Sequence, residues 1–318
     1  MSEIGYALSS EEHDPNDLVR YAQRAEQAGF TFAVISDHYH PWIDRQGHSP
    51  FVWHVLGGIA HATYSLRVGT GVTCPLIRVH PAVIAQAAAT AAAMMPDRFF
   101  LGVGTGENLN EHVLGDQWPA PKIRLEMLEE AIMIMRLLWQ GGWHSHYGTY
   151  YVVEKARLYT LPDDPPLVMV AASQKHAINL AARVGDGLIS LEPQKEIIDQ
   201  FSAAGGTMKP AYGQLTVCWA PTKELAQTIA YEWWPIAGPP RELHTELALP
   251  RHFEQTASLL SKEAMAKTVV YGPDPELYIA KIREYLNAGY DYAYIHQIGP
   301  DQEGFFRFCE KEVLPKFH

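Results

Sequence analysis

Short apolar runs alternate along the chain with longer segments whose apolar positions recur every three to four residues. A short, continuous apolar run is typical of a strand buried on both faces, as in a parallel sheet. Apolar residues at helical spacing indicate amphipathic helices. The pattern predicts strands at Ile4–Ala7, Phe32–Ile35, Leu66–Val72, Arg98–Val103, Leu167–Ala171, Leu188–Ser190, Leu215–Trp219 and Tyr292–His296.

Helical segments follow these strands. In the first of them, Leu18, Ala22, Ala25 and Ala28 share one face and Gly29 supplies the stop. Further helices are predicted at 81–95, 124–139, 175–184, 194–203, 223–233, 274–288 and 301–312. An alternation of eight strands with helices predicts an α/β fold, a parallel (β/α)8 TIM barrel.

Two stretches interrupt the alternation. Residues 143–160 are rich in Tyr and His and resemble a hairpin insertion. Residues 237–266 form a second insertion, near whose start stands Gly238-Pro239-Pro240. Neither has the pattern of a separate domain, so residues 1–318 are expected to form a single barrel domain with these two insertions.

The composition and charge of the chain exclude some classes of function. The 318 residues are 47% apolar and 19% charged, an ordinary globular composition of sufficient length for one barrel. With 25 basic against 36 acidic residues the net charge is −11, which argues against nucleic acid and anionic membranes as partners. The three cysteines are widely spaced, and the N-terminus has no signal-peptide pattern. A small-molecule substrate and a reducing, cytoplasmic location are expected.

Candidate chemistry lies directly after the second strand, because barrel enzymes carry their reactive groups at the carboxyl ends of the strands. Asp37, His38, His40 and Trp42 crowd into one short segment. Histidine suits proton transfer near neutral pH. Two other interpretations stay open: a surface loop capped by Asp37, and a zinc pair at His38-x-His40. The first strand offers no further metal ligand and the fifth and sixth strand ends only Glu192, which disfavours zinc.

The next two strand ends are rich in glycine. Gly71 lies at the end of the third strand, and Gly102, Gly104 and Gly106 lead from the end of the fourth to Glu107. Glycine allows the backbone to approach a flat ring or a phosphate closely, although a tight turn explains the motif equally well. No Lys follows as in a phosphate loop, and the spacing is wrong for a dinucleotide fingerprint. An acid, a base, an indole and a flexible backbone together suit redox chemistry on a planar cofactor. These residues alone do not identify that cofactor.

Three segments, 36–42, 81–86 and 100–111, resemble the luciferase-like superfamily. Within it they resemble the branch that uses the deazaflavin coenzyme F420, which includes a glucose-6-phosphate dehydrogenase and a secondary-alcohol dehydrogenase. The resemblance runs from Gly5 to Pro315. It implies a luciferase-like (β/α)8 barrel and a homodimer. It also implies that F420, rather than FMN, binds at the mouth of the barrel, the end at which the carboxyl ends of the strands lie.

The resemblance also assigns roles. It makes His38 the base for the substrate hydroxyl, Trp42 a wall of the substrate site, and Glu107 a proton donor or hydrogen-bond partner of the reduced ring. It places a non-proline cis peptide at Gly71–Val72. The residues it places at the cofactor are Asp37, Gly71, Val72, Thr73, Gly106, Glu107, Asn110, Ala171, Ala172 and Ser173. The segment Ala171–Gln174 departs from the family's glycine-rich turn.

The predicted function is therefore F420-dependent hydride transfer between the deazaflavin and an alcohol or sugar-type substrate, or the matching carbonyl. The alternatives are an F420-dependent glucose-6-phosphate dehydrogenase, a zinc-dependent barrel hydrolase and a non-catalytic flavin-binding protein. The phosphate-binding positions of the sugar-phosphate branch fall on Leu191 and Gln194 and near His244 and Thr268, none of them cationic, although Lys195 is adjacent. Aromatic and imidazole side chains instead suit a neutral substrate: Trp219, Trp233, Trp234, His244 and His252.

Overall fold

A computed structural model describes residues 3–237, 241–259 and 269–317. Parallel strands form a closed barrel in the order β1-β2-β3-β4-β7-β8-β9-β11, and β11 pairs again with β1. The predicted (β/α)8 barrel is confirmed. The barrel strands are β1 (Glu3–Leu8), β2 (Phe32–Ile35), β3 (Arg67–Thr70), β4 (Phe99–Val103), β7 (Leu167–Ala171), β8 (Gly187–Ser190), β9 (Ala211–Cys218) and β11 (Tyr292–Gln297).

Helices connect and surround the strands. They are α1 (Pro15–Ala28), α2 (Val52–Ala62), α3 (Pro81–Met94), α4 (Asn108–Glu111), α5 (Pro121–Trp139), α6 (Lys175–Val184), α7 (Lys195–Phe201), α8 (Lys223–Trp233), α9 (Arg241–Glu246), α10 (Pro250–Ala257), α11 (Pro275–Ala288) and α12 (Gln302–Phe308). In the described parts of the chain, no helix is long and apolar enough to cross a lipid bilayer.

The sequence pattern predicted no helix at α2. Val52, Val55, Leu56 and Ile59 have helical spacing and are buried, but Gly57 and Gly58 interrupt the run. Glycine normally weakens a helix interior. Here a methyl group on Gly58 would lie 2.8 Å from Val19 Cγ2 of α1, so glycine permits the close approach of the two helices.

Both predicted insertions can be compared with the structure. The first contains the antiparallel hairpin of β5 (His144–Tyr147) and β6 (Val152–Ala156), as expected. In the second, the described part forms α9 and α10, while 238–240 and 260–266 lie outside the described residues. A short strand, β10 (Val270–Tyr271), then extends the sheet beside β9. Strand β9 begins four residues before the predicted Leu215, because the inward-facing Tyr212 extends the strand below the apolar run.

Aromatic rings fill the lower barrel interior, and glycines on neighbouring strands make room for them. A methyl group at Gly5 would lie 2.4 Å from the Phe32 ring, and one at Gly69 only 2.1 Å from the Phe100 ring. Below them, Tyr212 stacks on Tyr292 with ring centroids 4.4 Å apart. The barrel is thus a packed core, and reactive groups have room only at its carboxyl end.

We expect Gly69→Ala to lower the free energy of unfolding by about 1–3 kcal/mol, because the added methyl group overpacks the barrel against Phe100. Urea denaturation measures the change. The control is Gly57→Ala, whose methyl group would lie an ordinary 3.9 Å from Met94 Cε. It should stabilise α2 by about 0.5–1 kcal/mol. A wild-type stability for Gly69→Ala would contradict the packing argument.

Candidate active site

Asp37 follows β2 at the carboxyl end of the barrel and is buried. Its Oδ2 accepts a 2.8 Å hydrogen bond from the Thr73 hydroxyl and its Oδ1 a 2.8 Å bond from Arg78 Nη2. Both carboxylate oxygens are therefore engaged with the loop that follows β3. Asp37 is therefore fixed relative to that loop.

Arg78 is a buried cation between two acids. Besides Asp37, it approaches Glu111, with 3.6 Å between Arg78 Nε and Glu111 Oε1, and its backbone N–H donates to Glu111 Oε2 at 2.8 Å. Burial raises the pKa of the Glu111 carboxyl, and the hydrogen bond and charge of Arg78 only partly oppose this. Arg78 thereby ties the loops after β2, β3 and β4 together.

His38 lies beside Trp42, with ring centroids 4.9 Å apart. Its Nε2 is 3.2 Å from Glu11 Oε1, and its Nδ1 is 3.2 Å from the backbone carbonyl oxygen of His40. Both ring nitrogens thus face oxygen atoms. His40 points elsewhere, with Nδ1 2.8 Å from the carbonyl oxygen of Leu109, so His38 and His40 do not form a metal pair.

Glu11 lies in the loop after β1 and is buried. Its Oε2 accepts hydrogen bonds from the hydroxyls of Ser36 at 2.6 Å and Ser9 at 3.0 Å. Burial favours the neutral acid, but His38, the Ser36 hydroxyl and His296 outweigh it and hold the pKa of the Glu11 carboxyl below its ordinary value. Glu11 therefore presents a carboxylate to His38.

Glu12, the next residue, makes a second contact of this kind. Its Oε2 is 3.1 Å from Nε2 of His296 at the end of β11, and its Oε1 accepts the Gly299 N–H at 3.0 Å. Glu12 and His296 are both buried. Two carboxylate–imidazole pairs therefore lie at the barrel mouth, one on each strand that flanks β1.

Glu107 and Asn110 belong to the loop after β4. Asn110 is buried, and its Oδ1 accepts the backbone N–H groups of Tyr39 at 2.9 Å and His40 at 3.2 Å. Its Nδ2 donates to Glu107 Oε2 at 3.3 Å. Glu107 is half-buried. Asn110 therefore joins the β2 and β4 loops and leaves an acid at the mouth.

An apolar ledge forms the floor of the mouth; we define it as Ala7, Val72 and Ala171. These side chains pack on the interior core cluster and remain half-buried. The Gly71–Val72 peptide bond is cis, as the resemblance implied. A methyl group at Gly104 would lie 2.7 Å from Val72 Cγ2, so glycine allows the backbone to pack directly against Val72. A flat ring fits such a surface.

The other predicted cofactor residues border this ledge. Thr73 is buried, and Gly106 has a φ of +71°, where a side chain would meet Cys74 Sγ at 2.5 Å. After β7, Ala172 is buried and its N–H donates to the Ile189 carbonyl at 3.0 Å, whereas Ser173 is half-buried. Glycine is therefore needed at position 106, while the turn after β7 closes without it.

Trp42 closes one side of the mouth. Its ring lies 5.6 Å from His244 and 5.3 Å from Phe253, which come from the second insertion. Trp234 packs against the same apolar cluster and also meets His296 edge-on at 4.4 Å. Aromatic walls therefore extend from His38 to His296.

Four residues that contribute to the mouth were not predicted from the sequence. Glu11 and Glu12 follow a first strand that was predicted to end at Ala7 and to offer no ligand; a strand extended to Leu8 brings them to the mouth. His296 lies on the same inward face as Tyr292 and Tyr294, a two-residue period that would have found it. Arg78 has no local signal, because its partners lie 41 and 33 residues away.

The chain is similar in sequence and fold to known proteins. A family model described as luciferase-like monooxygenase matches residues 1–292. The chain belongs to the luciferase-like family. Such a match over most of the barrel agrees with the cis peptide after β3 and the Asp37, His38 and Glu107 segments.

Among luciferase-like relatives, the F420-dependent glucose-6-phosphate dehydrogenase of Microbacterium testaceum (strain StLB037) is 34% identical over 325 residues, 98% of this chain and 96% of that protein. The enzyme of that name from Kribbella flavida (strain DSM 17836 / JCM 10339 / NBRC 14399) is 35% identical over 325 residues, 98% of this chain and 97% of that protein. A solved F420-dependent secondary alcohol dehydrogenase, in complex with an F420-acetone adduct, is 26% identical with a TM-score of 0.91 and covers 98% of both chains.

This luciferase-like barrel has no metal cluster in the part of the chain that the structure describes: no three His, Cys, Asp or Glu side chains converge there as ligands. Instead, Glu11 pairs with His38, Glu12 pairs with His296, and Asp37 pairs with Arg78. Their arrangement suits proton transfer beside a flat apolar surface.

We expect Arg78→Leu to lower the free energy of unfolding by about 3–5 kcal/mol at neutral pH, because two buried carboxylates lose their cation. The loss should be smaller near pH 5, since the pKa of Glu111 is already raised and protonation removes its charge. Denaturant titration at both pH values measures this.

The control is Arg183→Leu, which breaks an exposed ion pair with Glu129 and should cost at most about 1 kcal/mol. A deficit for Arg78→Leu that is equal or larger at the lower pH would contradict the assignment.

Proposed function

We propose that this protein is a coenzyme F420-dependent oxidoreductase that acts on CH–OH groups of an alcohol or sugar-type substrate, or on the corresponding carbonyl. The observation that carries the proposal is that His38, Trp42 and Glu107 follow strands at the same carboxyl end of the barrel as the apolar ledge, in a chain with a TM-score of 0.91 to an enzyme holding an F420-acetone adduct. The full-length relatives named as F420-dependent enzymes support the same cofactor.

The residues at the mouth fit a deazaflavin. The ledge of Ala7, Val72 and Ala171 offers an apolar surface of small side chains, and Gly104 lets the backbone after β4 pack directly against Val72. When bound, a deazaflavin supplies a carbon, C5, that accepts or donates hydride. The residues proposed to hold it are Asp37, Gly71, Val72, Thr73, Gly106, Glu107, Asn110, Ala171, Ala172 and Ser173. FMN is the less favoured ligand.

We assign three catalytic roles within this proposal. His38 accepts the proton of the substrate hydroxyl, and Glu11 stabilises the charged imidazole that results. For this, the hydroxyl takes the place of the His40 carbonyl beside Nδ1. Trp42 bounds the substrate. Glu107, half-buried at the opposite loop, holds or donates the proton at N1 of the reduced ring.

A neutral substrate is favoured over glucose 6-phosphate, although the relatives' names make the latter the second candidate. Gln194 is bonded to Glu192 at 2.5 Å, and the exposed Lys195 is paired with Asp199. His244 packs on Trp42, and Thr268 lies outside the described residues. None of these described positions presents a free cation, which a phosphate dianion needs.

The remaining assignments concern the whole molecule. One barrel domain is supported by the pairing of β1 with β11, since the two ends of the chain close the barrel. The three cysteines are free and buried, which supports a reducing, cytoplasmic location. We propose a small-molecule substrate as the partner, with no role for nucleic acid.

Titration of the purified protein with F420 and, separately, with FMN tests the cofactor through the visible spectrum of each flavin. Tighter binding of F420 and its reduction by an alcohol or sugar are expected. Binding without turnover would favour the non-catalytic alternative. Stoichiometric zinc with hydrolytic activity would favour the barrel hydrolase.

We expect His38→Ala to lower turnover about 10²–10⁴-fold, the usual contribution of a general base, with nearly unchanged F420 affinity. Steady-state rates and flavin titration measure the two effects. His54→Ala, at an exposed histidine of α2, serves as the control and should behave like wild type. Wild-type turnover of His38→Ala would move the base assignment to Glu107.

The substrate prediction is tested by F420 reduction with secondary alcohols, neutral sugars and glucose 6-phosphate. Neutral substrates should be preferred, because the described site lacks a free cation. Efficient reduction with glucose 6-phosphate and none with neutral alcohols would overturn this prediction.

A homodimer is expected in solution. Most alanines of α3 are buried within the chain, but Val83 of α3 and Met133 of α5 stay 53% and 51% exposed. Burial of such apolar side chains favours association. Light scattering should give twice the mass of one chain; the mass of a single chain would contradict the dimer.

A further inference from the structure

His296 is the imidazole at the barrel mouth that the proposed reaction does not use. It ends the inward-facing row of Tyr292, Tyr294 and His296 on β11, directly above the barrel core. Its side chain is 4% exposed, and that of Glu12 is fully buried. Trp234 covers the ring edge-on. A polar ring this deeply buried needs partners for both nitrogens.

Only one nitrogen has a partner in the described residues. Glu12 Oε2 lies 3.1 Å from Nε2, whereas Nδ1 is buried without a hydrogen-bond partner. The second oxygen of Glu12 is fixed by the Gly299 N–H. A fixed carboxylate retains the proton on Nε2, so the neutral ring presents a lone pair at Nδ1. That nitrogen accepts a hydrogen bond.

His38 differs in this respect. Its Nε2 faces Glu11 and its Nδ1 faces the His40 carbonyl, each at 3.2 Å. The two imidazoles flank β1, and the consecutive residues Glu11 and Glu12 hold one each. The mouth therefore has one imidazole for the reacting hydroxyl and another, with a free acceptor, on the opposite side of β1.

We propose that His296 is a substrate-positioning residue whose Nδ1 accepts a hydrogen bond from a second hydroxyl of the substrate, one that is not oxidised. The inference rests on the proposed function and narrows its substrate class to polyhydroxylated molecules, diols or sugars, over monohydric alcohols. A hydroxyl is the donor that suits this place, because Arg78 is already paired with Asp37 and Glu111 and the neighbouring Glu11 and Glu12 disfavour an anion.

His296→Gln is the sharpest variant. The Gln amide nitrogen can keep the hydrogen bond to Glu12, but the side chain has no acceptor nitrogen at the position of Nδ1. With cyclohexane-1,2-diol the variant should show a KM raised about tenfold, the effect of one hydrogen bond, at similar kcat. With cyclohexanol, which lacks the second hydroxyl, both constants should stay within about twofold of wild type.

Glu12→Gln provides a second variant, because it weakens the preference for the His296 proton on Nε2 without removing the imidazole. It should raise the KM for the diol by less than His296→Gln does. His54→Gln is the control for a surface histidine. Isothermal titration calorimetry with the diol measures binding without turnover.

Equal losses for diol and monohydric alcohol would overturn the proposal, as would wild-type behaviour of His296→Gln with both. A wild-type protein that binds the diol through His296 but reduces no flavin would disprove the proposed function while leaving this inference intact.

Discussion

The charge balance around Arg78 is the constraint on which the geometry of the mouth depends. Asp37 comes from the loop after β2 and Glu111 from the segment after β4, while Arg78 itself follows β3. Buried charges persist only when they are paired and hydrogen-bonded. The three loops must therefore meet in one arrangement, which fixes the loops that carry His38, Trp42 and Glu107.

The polar groups of the mouth differ in how far neighbouring loops occupy their hydrogen-bonding atoms. Asp37 and Asn110 have their oxygens occupied by neighbouring loops, so they hold the frame. His38, Glu107 and His296 lie at the border between this frame and the aromatic walls. A planar ligand on the apolar ledge would lie below these groups, and a substrate would lie among them. This division of labour explains how a rigid, packed barrel supports proton transfer at one end.

Much of the fold follows from local pattern, because each buried parallel strand is a short apolar run that stands out from its helices. The helix α2 was not predictable from this pattern, because Gly57 and Gly58 argue against a helix until the contact between Gly58 and Val19 is known. The site was predictable where its residues follow strands in sequence, as Asp37, His38 and Glu107 do. The pairs Glu11–His38 and Glu12–His296 join positions far apart in the chain, and Arg78 acquires its role only through tertiary contacts.

The closure of the barrel between β1 and β11 has a consequence for biosynthesis. Glu12 is synthesised before its partner His296, which follows 284 residues later in the chain. Contacts of such sequence separation form late, because the loop they close costs more entropy than local contacts do. A nascent chain can thus build most of its helices and strands while its mouth stays incomplete, and any truncation before β11 removes the last barrel strand and the imidazole partner of Glu12 together.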